Sequence, residues 1–325
     1  MKPRLAISLG DPAGIGPEVV LKALARADVA ERFEAIVVGD PALIEAAAAR
    51  LGLPRPARIH APPGGACDLA RLFEARPSAE AGRAAAAAVR AGVRLVTEGQ
   101  ADALVTAPLN KEALGLAGEP FPGHTELLAA ELAAPRVRMM LQGGGLRAVL
   151  CTTHHALRAV PDLLTVEVVL ETIETAAESL IELGVSARPR LALAALNPHA
   201  GEAGRFGDEE QRVLAPALAA ARAQGIDVSS PFPADTLFAR AVRPDSGIDA
   251  VIALYHDQGL IPVKLAAFGG ATNVTLGLPI VRTSPDHGTA FDIAGRGVAE
   301  ADSFVEALAV AAAMARARAA RPTRT

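Results

Sequence analysis

Four apolar segments of this 325-residue chain end in polar, potentially reactive residues instead of ordinary turn residues: VTAPLNK, LCTTH, ALNPH and LYHDQ. The side chains at those ends are Thr106, His154, His199 and His256. Ligands of open parallel sheets bind outside the carboxyl ends of strands, so groups far apart in sequence can meet there. Neutral imidazoles suit zinc and related divalent ions, and three of them leave a coordination position open for a substrate. A hydrogen-bonded surface or core residue is the competing reading for any single histidine, and it is kept for His60 and His155.

Three further segments concentrate polar groups. GDPAGIGPEVV supplies Gly10, Gly14 and Gly16 for tight turns and Pro17 to begin a helix. Such a start can hold an anion or serve as a structural turn; it is not a GxGxxG fingerprint, and no strand is followed by one. FPGHTELLAAELA sets His124 and Thr125 at the head of a helical run, where they contact a substrate or cap the helix. The stretch from His256 to Gly297 is rich in Gly and Pro and carries Asp257, Lys264, Asn273, Arg282, His287 and Asp292, a polar density that loops show at binding sites.

The elements that must position these residues follow a βαβ rhythm, which predicts an α/β fold with a largely parallel sheet. Strands are expected in LAISLG from Leu5, AIVVGD from Ala35, ADALVTAP from Ala101, LRAVLCTTH from Leu146, LALAALNPH from Leu191 and IDAVIALYH from Ile248. Between them lie helices such as the one from Thr165, whose Val166, Val169, Leu170, Ile173, Ala177, Leu180 and Ile181 share a face. Residues 57–77, rich in Pro and Gly, read as a surface excursion. The end of the chain reads as a closing helix that frays into a basic, Pro-containing terminus.

Composition excludes several classes. A net charge of −4 and 3% aromatics argue against nucleic acid and acidic membranes as partners, so an anionic ligand needs a local site. Cys67 and Cys151 form no CxxC pair, which suits a reducing compartment. The amino-terminal apolar run is too short for a signal peptide and no stretch approaches a membrane span, so the expected location is the cytoplasm. Of 32 basic residues only Lys2, Lys22, Lys111 and Lys264 are lysine; a position that keeps lysine in such a chain can need its compact charge.

Taken in order, GDPAGIGPE, VTAPLNK, FPGHTELLA, TTH, NPHAGE, PADTLF, YHDQG and NVTLGLPIVRTSPDHGTA closely resemble the motifs of the 4-hydroxythreonine-4-phosphate dehydrogenase family of vitamin B6 biosynthesis. The resemblance implies an isocitrate/isopropylmalate dehydrogenase-like fold. Its two lobes would comprise 1–128 with 278–325 on the cofactor side, and 129–277 carrying metal ligands and dimerisation, with a cleft between them. It implies a homodimer with active sites at the subunit interface. His154, His199 and His256 would be the shared ligands of a divalent metal, zinc first and magnesium, manganese or cobalt as alternatives. His124, Thr125, Lys264, Asn273 and Arg282 match the family's substrate-binding positions, with Lys264 also the candidate for proton transfer. His287, Gly288 and Asp292 fall on a segment similar to the cofactor loop of isopropylmalate dehydrogenase relatives. An anionic Asp292 there would repel a 2′-phosphate, so NAD is expected over NADP. One departure is His155, which stands where the family usually has an apolar residue.

The activity implied is oxidation of 4-phosphohydroxy-L-threonine to 2-amino-3-oxo-4-phosphooxybutanoate, a β-keto acid that decarboxylates to 3-amino-2-oxopropyl phosphate. The competing expectations are a paralogous dehydrogenase of phosphorylated threonate or erythronate or of a cis-diol carboxylate, an acyl-phosphate transferase on a related fold, and a binding module without catalysis. Acyl transfer needs no histidine trio, and a binding module does not need so many titratable groups in its motifs.

Overall fold

The computed structural model describes residues 2–321; the basic terminus expected beyond them lies outside the described residues. Eleven strands run in chain order as β1 (Arg4–Ser8), β2 (Glu34–Val38), β3 (Ile59–His60), β4 (Ala103–Thr106), β5 (Arg138–Gly143), β6 (Leu146–Leu150), β7 (Arg190–Leu193), β8 (Asp227–Val228), β9 (Ala250–Ala253), β10 (Thr272–Leu276) and β11 (Arg282–Pro285). The six expected strands are all present, within an α/β architecture. The chain divides into two compact units, one made of residues 1–135 and 278–325 and the other of residues 136–277.

In the first unit the strand order is β3-β2-β1-β4-β11, and every pairing is parallel. The chain winds outward from β1 to β3 and then returns to β4 on the other side. That reversal makes the β1/β4 boundary a switch point, where the loops leaving adjacent strands part and open a crevice. Ser8 and Thr106 are register partners at that boundary. β1, β2 and β4 are mostly apolar where helices cover them, among them Gly16–Leu24, Ala79–Thr97 and Asp302–Ala319, whereas β11 is buried although it carries Arg282, Thr283 and Ser284.

In the second unit the order is β10-β5-β6-β9-β7-β8. Pairings of β10 with β5 and of β5 with β6 are antiparallel, while β6, β9, β7 and β8 run parallel. Three of the four motif-bearing strands, β6, β7 and β9, are thus neighbours whose carboxyl ends share an edge. Helix Val166–Glu182 buries Val169, Ile173, Ala177 and Leu180 as its periodicity predicts, and leaves Val166, Leu170 and Ile181 partly exposed at its flanks.

Two segments differ from their expected character. The excursion at 57–77 contributes the short edge strand β3, and the stretch after His256 is mostly regular: helix His256–Ala267, then β10 and β11. Its glycine and proline suit a helix packed closely on a sheet. A Cβ on Gly259 would meet Leu150 at 2.7 Å and Ala253 at 3.1 Å, and Pro262 lies past the first turn on a more exposed side. No helix among the described residues is long and apolar enough to cross a membrane.

Phe304, in the closing helix against β11 and β4, is fully buried and among the largest such side chains. Truncating it leaves a cavity that a close-packed core cannot refill. Phe304→Ala is expected to lower stability by about 3–5 kcal/mol, read as a shifted denaturant midpoint at unchanged slope.

Candidate active site

Buried polar groups gather at the switch point of the first unit. Arg282 begins β11 with 2% of its surface exposed, and its Nη2 donates to Thr106 Oγ1 at 2.6 Å. Burial pushes its pKa down to about 10, so it remains a cation at neutral pH. His124 heads helix His124–Glu131 behind Gly123, and its Nε2 is buried without a hydrogen-bond partner. Burial first, and the charge of Arg282 second, hold its pKa well below the ordinary value, which makes it a neutral imidazole. Thr125 follows it, partly buried in the first turn. A fixed cation beside a neutral imidazole with an unused nitrogen is suited to an anionic ligand that also offers a hydrogen-bonding group.

The loop after β1 and the segment after β11 meet in the same unit. Gly10 adopts φ +75° where the chain turns under Pro108, whose carbonyl accepts from Asp11 N–H at 2.8 Å. Gly14 is required by proximity: a Cβ there would lie 2.7 Å from the carbonyl oxygen of Thr289, which accepts from Ile15 N–H at 2.9 Å. The helix start at Gly16 is therefore packed against the 286–300 segment, which favours the structural-turn reading of GDPAGIGPE. Along that segment, His287 Nδ1 is 3.1 Å from the Gly288 carbonyl. Its Nε2 is buried without a partner. Gly288 is exposed, and Asp292 is exposed in the turn Phe291–Ile293. An unsatisfied buried ring nitrogen next to an exposed carboxylate fits a ligand with polar ring atoms and ribose hydroxyls.

In the second unit the carboxyl ends of β6 and β9 bring His154 and His256 together, with ring centroids 5.3 Å apart. They line an open pocket of about 300 Å³ with Thr153, His155, Leu157, Val160, Tyr255 and Asp257. Asp257 Oδ1 is 2.7 Å from His256 Nδ1, an arrangement that leaves Nε2 as the free donor atom of a ligating imidazole. Two imidazoles, one of them with a carboxylate behind it, are donors that zinc accepts. His199 does not line this pocket, and among the described residues no three His, Cys, Asp or Glu side chains are grouped to hold a metal within one chain.

His199 stands in an unusual backbone. Five consecutive residues, His199 to Ala203, have φ between +43° and +77°, and only Gly201 among them is glycine. Left-handed conformation costs an L-residue on the order of 1–2 kcal/mol, so the turn must be held from outside. Glu210 holds it: its Oε1 accepts from Leu196 and Asn197 N–H at 2.9 and 2.8 Å, and its Oε2 accepts from the Asn197 amide at 2.9 Å. Gln258 ties the strand ends similarly, accepting from Leu254 N–H and donating to the Ala195 carbonyl, each at 2.7 Å. Gln258 closes the LYHDQ motif but nothing in the sequence marks it as a tie between two strand ends, and Glu210, well past NPHAGE, carries no signal in the sequence at all.

Asn273, on β10, has a buried Oδ1 without a partner, and Lys264 is exposed on helix His256–Ala267. Both belong to the second unit, with the three histidines, whereas His124, Thr125, Arg282, His287, Gly288 and Asp292 belong to the first. Burial pushes the thiols of Cys67 and Cys151 up to about 12, so neither is a nucleophile at neutral pH.

The family of the pyridoxal phosphate biosynthetic protein PdxA matches residues 31–311. A 4-hydroxythreonine-4-phosphate dehydrogenase from Geobacter metallireducens is 48% identical over 97% of this chain and 96% of its own. A D-threonate 4-phosphate dehydrogenase from Cupriavidus necator is 44% identical over 98% of each. The crystal structure of a 4-hydroxythreonine-4-phosphate dehydrogenase from Klebsiella pneumoniae superposes with a TM-score of 0.88 at 40% identity, covering 97% of this chain and 100% of that one.

Asp11 yields a stability prediction. Fully buried, it accepts from Ala13 N–H through Oδ1 while Oδ2 has no partner, and burial raises its pKa from 3.8 to about 6. Between those values the folded chain binds more protons at this position than the unfolded chain, so its contribution falls as pH rises through the window and stays lost above it. Asp11→Asn keeps the acceptor and removes the charge. It is expected to match the parent near pH 4 and to exceed it above pH 6 by on the order of 2–3 kcal/mol. Equal differences at both pH values in urea unfolding would contradict this account.

Proposed function

The chain belongs to the family of the pyridoxal phosphate biosynthetic protein PdxA, and from that premise we propose that it oxidises 4-phosphohydroxy-L-threonine with NAD, yielding a β-keto acid that decarboxylates to 3-amino-2-oxopropyl phosphate. The observation that carries this reading is the buried Arg282 cation beside neutral His124 at a switch point, within a chain whose net charge is −4. Such a site binds a phosphorylated or carboxylated small molecule that the chain as a whole would repel. In this reading Arg282 neutralises an anionic group of the substrate, while His124 and Thr125 orient it by hydrogen bonds. His124 Nε2 gains the partner that it lacks inside the protein.

His154, His199 and His256 would hold a divalent ion, zinc first and magnesium, manganese or cobalt as alternatives, which when bound lowers the pKa of the substrate hydroxyl and stabilises the enolate formed on loss of carbon dioxide. Asp257 fixes the tautomer of His256 for that role. Two copies of the chain would complete the trio. The separation of His199 from the His154–His256 pocket supports this, as do exposed Ile261 and Leu265 on the helix that His256 begins and exposed Phe268 just past its end. Lys264, on that same helix, would reach the neighbouring copy's substrate to pair with its carboxylate or move a proton. NAD, the hydride acceptor, would lie along His287 and Gly288 with its ribose hydroxyls on Asp292.

Purified protein is expected to form NADH from 4-phosphohydroxy-L-threonine, to lose that activity with chelator and to regain it with zinc, cobalt or magnesium. Turnover of phosphorylated threonate, erythronate or a cis-diol carboxylate in its place would reassign the substrate within the family. Lys264→Met is expected to lower kcat by at least about 10²-fold, the range of a lost general acid or base; unchanged turnover would remove Lys264 from the mechanism. Asp292→Ala is expected to narrow the preference for NAD over NADP, compared as kcat/KM at equal cofactor concentrations.

A further inference from the structure

Helix Gly16–Leu24 carries an ion pair that the reaction does not use. Glu18 is fully buried, and its Oε1 is 2.8 Å from Lys22 Nζ one turn later. Both side chains turn outward from their own helix onto the segment that follows the proposed cofactor residues. Glu18 Oε2 accepts from Gly297 N–H at 3.2 Å, and Oε1 accepts from Ala299 N–H at 2.8 Å. Lys22 Nζ donates to the carbonyl oxygens of Gly297 and Ala299, each at 2.8 Å. All four backbone polar groups of two alternate residues are therefore taken by one pair of side chains, which together imitate the edge of a partner strand. Val298 lies between them, 58% exposed.

We propose that Glu18 and Lys22 are positioning residues for cofactor binding: by clamping Gly297 and Ala299 they fix the 286–300 segment so that His287, Gly288 and Asp292 face the dinucleotide. The inference rests on the cofactor reading of that segment. Two contacts fix the segment from the same side, since Thr289 already packs on Gly14 and bonds to Ile15, so the segment is pinned at both ends by the loop and helix that follow β1. Without the clamp, its exposed residues Asp292, Arg296, Gly297 and Val298 have little apolar packing of their own, and the segment would be ordered only on binding, at the expense of affinity. The lysine is specific. An ammonium has three donors around one atom, and here it meets three acceptors, Glu18 Oε1 and two carbonyls. A planar guanidinium cannot address that arrangement. This gives a physical reason for Lys22 in a chain where only four of 32 basic residues are lysine.

The test compares Glu18→Gln, Lys22→Arg and Lys22→Met with the parent in the full-length protein. The measurements are NADH titration, amide hydrogen exchange across 286–300, thermal unfolding and steady-state kinetics. The partly exposed Lys22 variants guard against misfolding of the buried Glu18→Gln. The expected result is faster exchange at Gly297 and Ala299, NADH affinity weakened about tenfold with KM for NAD raised to match, and kcat and the substrate KM within about twofold of the parent. Lys22→Arg should resemble Lys22→Met and not the parent. Unchanged NADH affinity in a folded variant whose amides exchange faster overturns the inference. So does a parallel fall in kcat and in both affinities with a lowered melting temperature, which marks a merely structural pair. A parent protein that binds no NADH overturns the cofactor reading itself, a result distinct from a parent that binds and variants that bind equally well.

Discussion

Parallel pairing is the constraint on which the rest of this protein depends. Parallel strands need crossovers, crossovers put helices on the faces, and covered strands are then mostly apolar on both sides. Polar chemistry gathers at their carboxyl ends, where the backbone leaves the ladder; β11 is the exception, and its Arg282 and Thr283 are partnered by Thr106 and the Ala307 carbonyl. The register of β1 with β4 and of β6 with β9 and β7 therefore decides which side chains can meet. Arg282, at the start of β11, reaches Thr106 because β11 pairs with β4, and His154 meets His256 although about one hundred residues separate them.

Strand ends also carry a cost, because backbone groups that leave the ladder need other partners. The chain meets that need with side chains that do no chemistry. Gln258 joins the ends of β9 and β7, Thr152 Oγ1 donates to the Leu254 carbonyl, and Glu210 caps the strand end at Leu196 and Asn197. The left-handed turn at His199 to Ala203 stands on Glu210 in the same way that the 297–299 segment stands on Glu18 and Lys22. In both places a buried carboxylate accepts backbone N–H groups and so converts an irregular segment into a rigid one. The reactive side chains gain their geometry from these supports and not from the regular elements alone.

Much of this was legible in the sequence. The α/β rhythm, the six apolar strands β1, β2, β4, β6, β7 and β9 and the helix faces follow from apolar runs and from 3.6-residue periodicity, because burial selects side-chain type directly. The motif residues were legible because their polarity at strand ends contradicts the local pattern. The two-residue strands β3 and β8 were not, since they are too short to impose a period, nor were Thr272–Leu276 and Arg282–Pro285, whose polar residues break the apolar run that marks a strand. The helix at His256–Ala267 was hidden by Gly259 and Pro262, whose reason lies in the sheet beneath them.

The sequence by itself determined the fold class, the family and the residue types available for chemistry, because these depend on composition and order along the chain. Only the tertiary structure decided that His124 is held neutral by burial and by Arg282, and that Asp11 resists ionisation. It also decided that His154 and His256 share a pocket that His199 does not line, and that Glu18 and Lys22 serve a segment nearly three hundred residues away. The physical reason is common to all of them. Desolvation, charge proximity and hydrogen-bond geometry act through space over a few ångströms, and distance along the chain carries almost no information about which groups come that close.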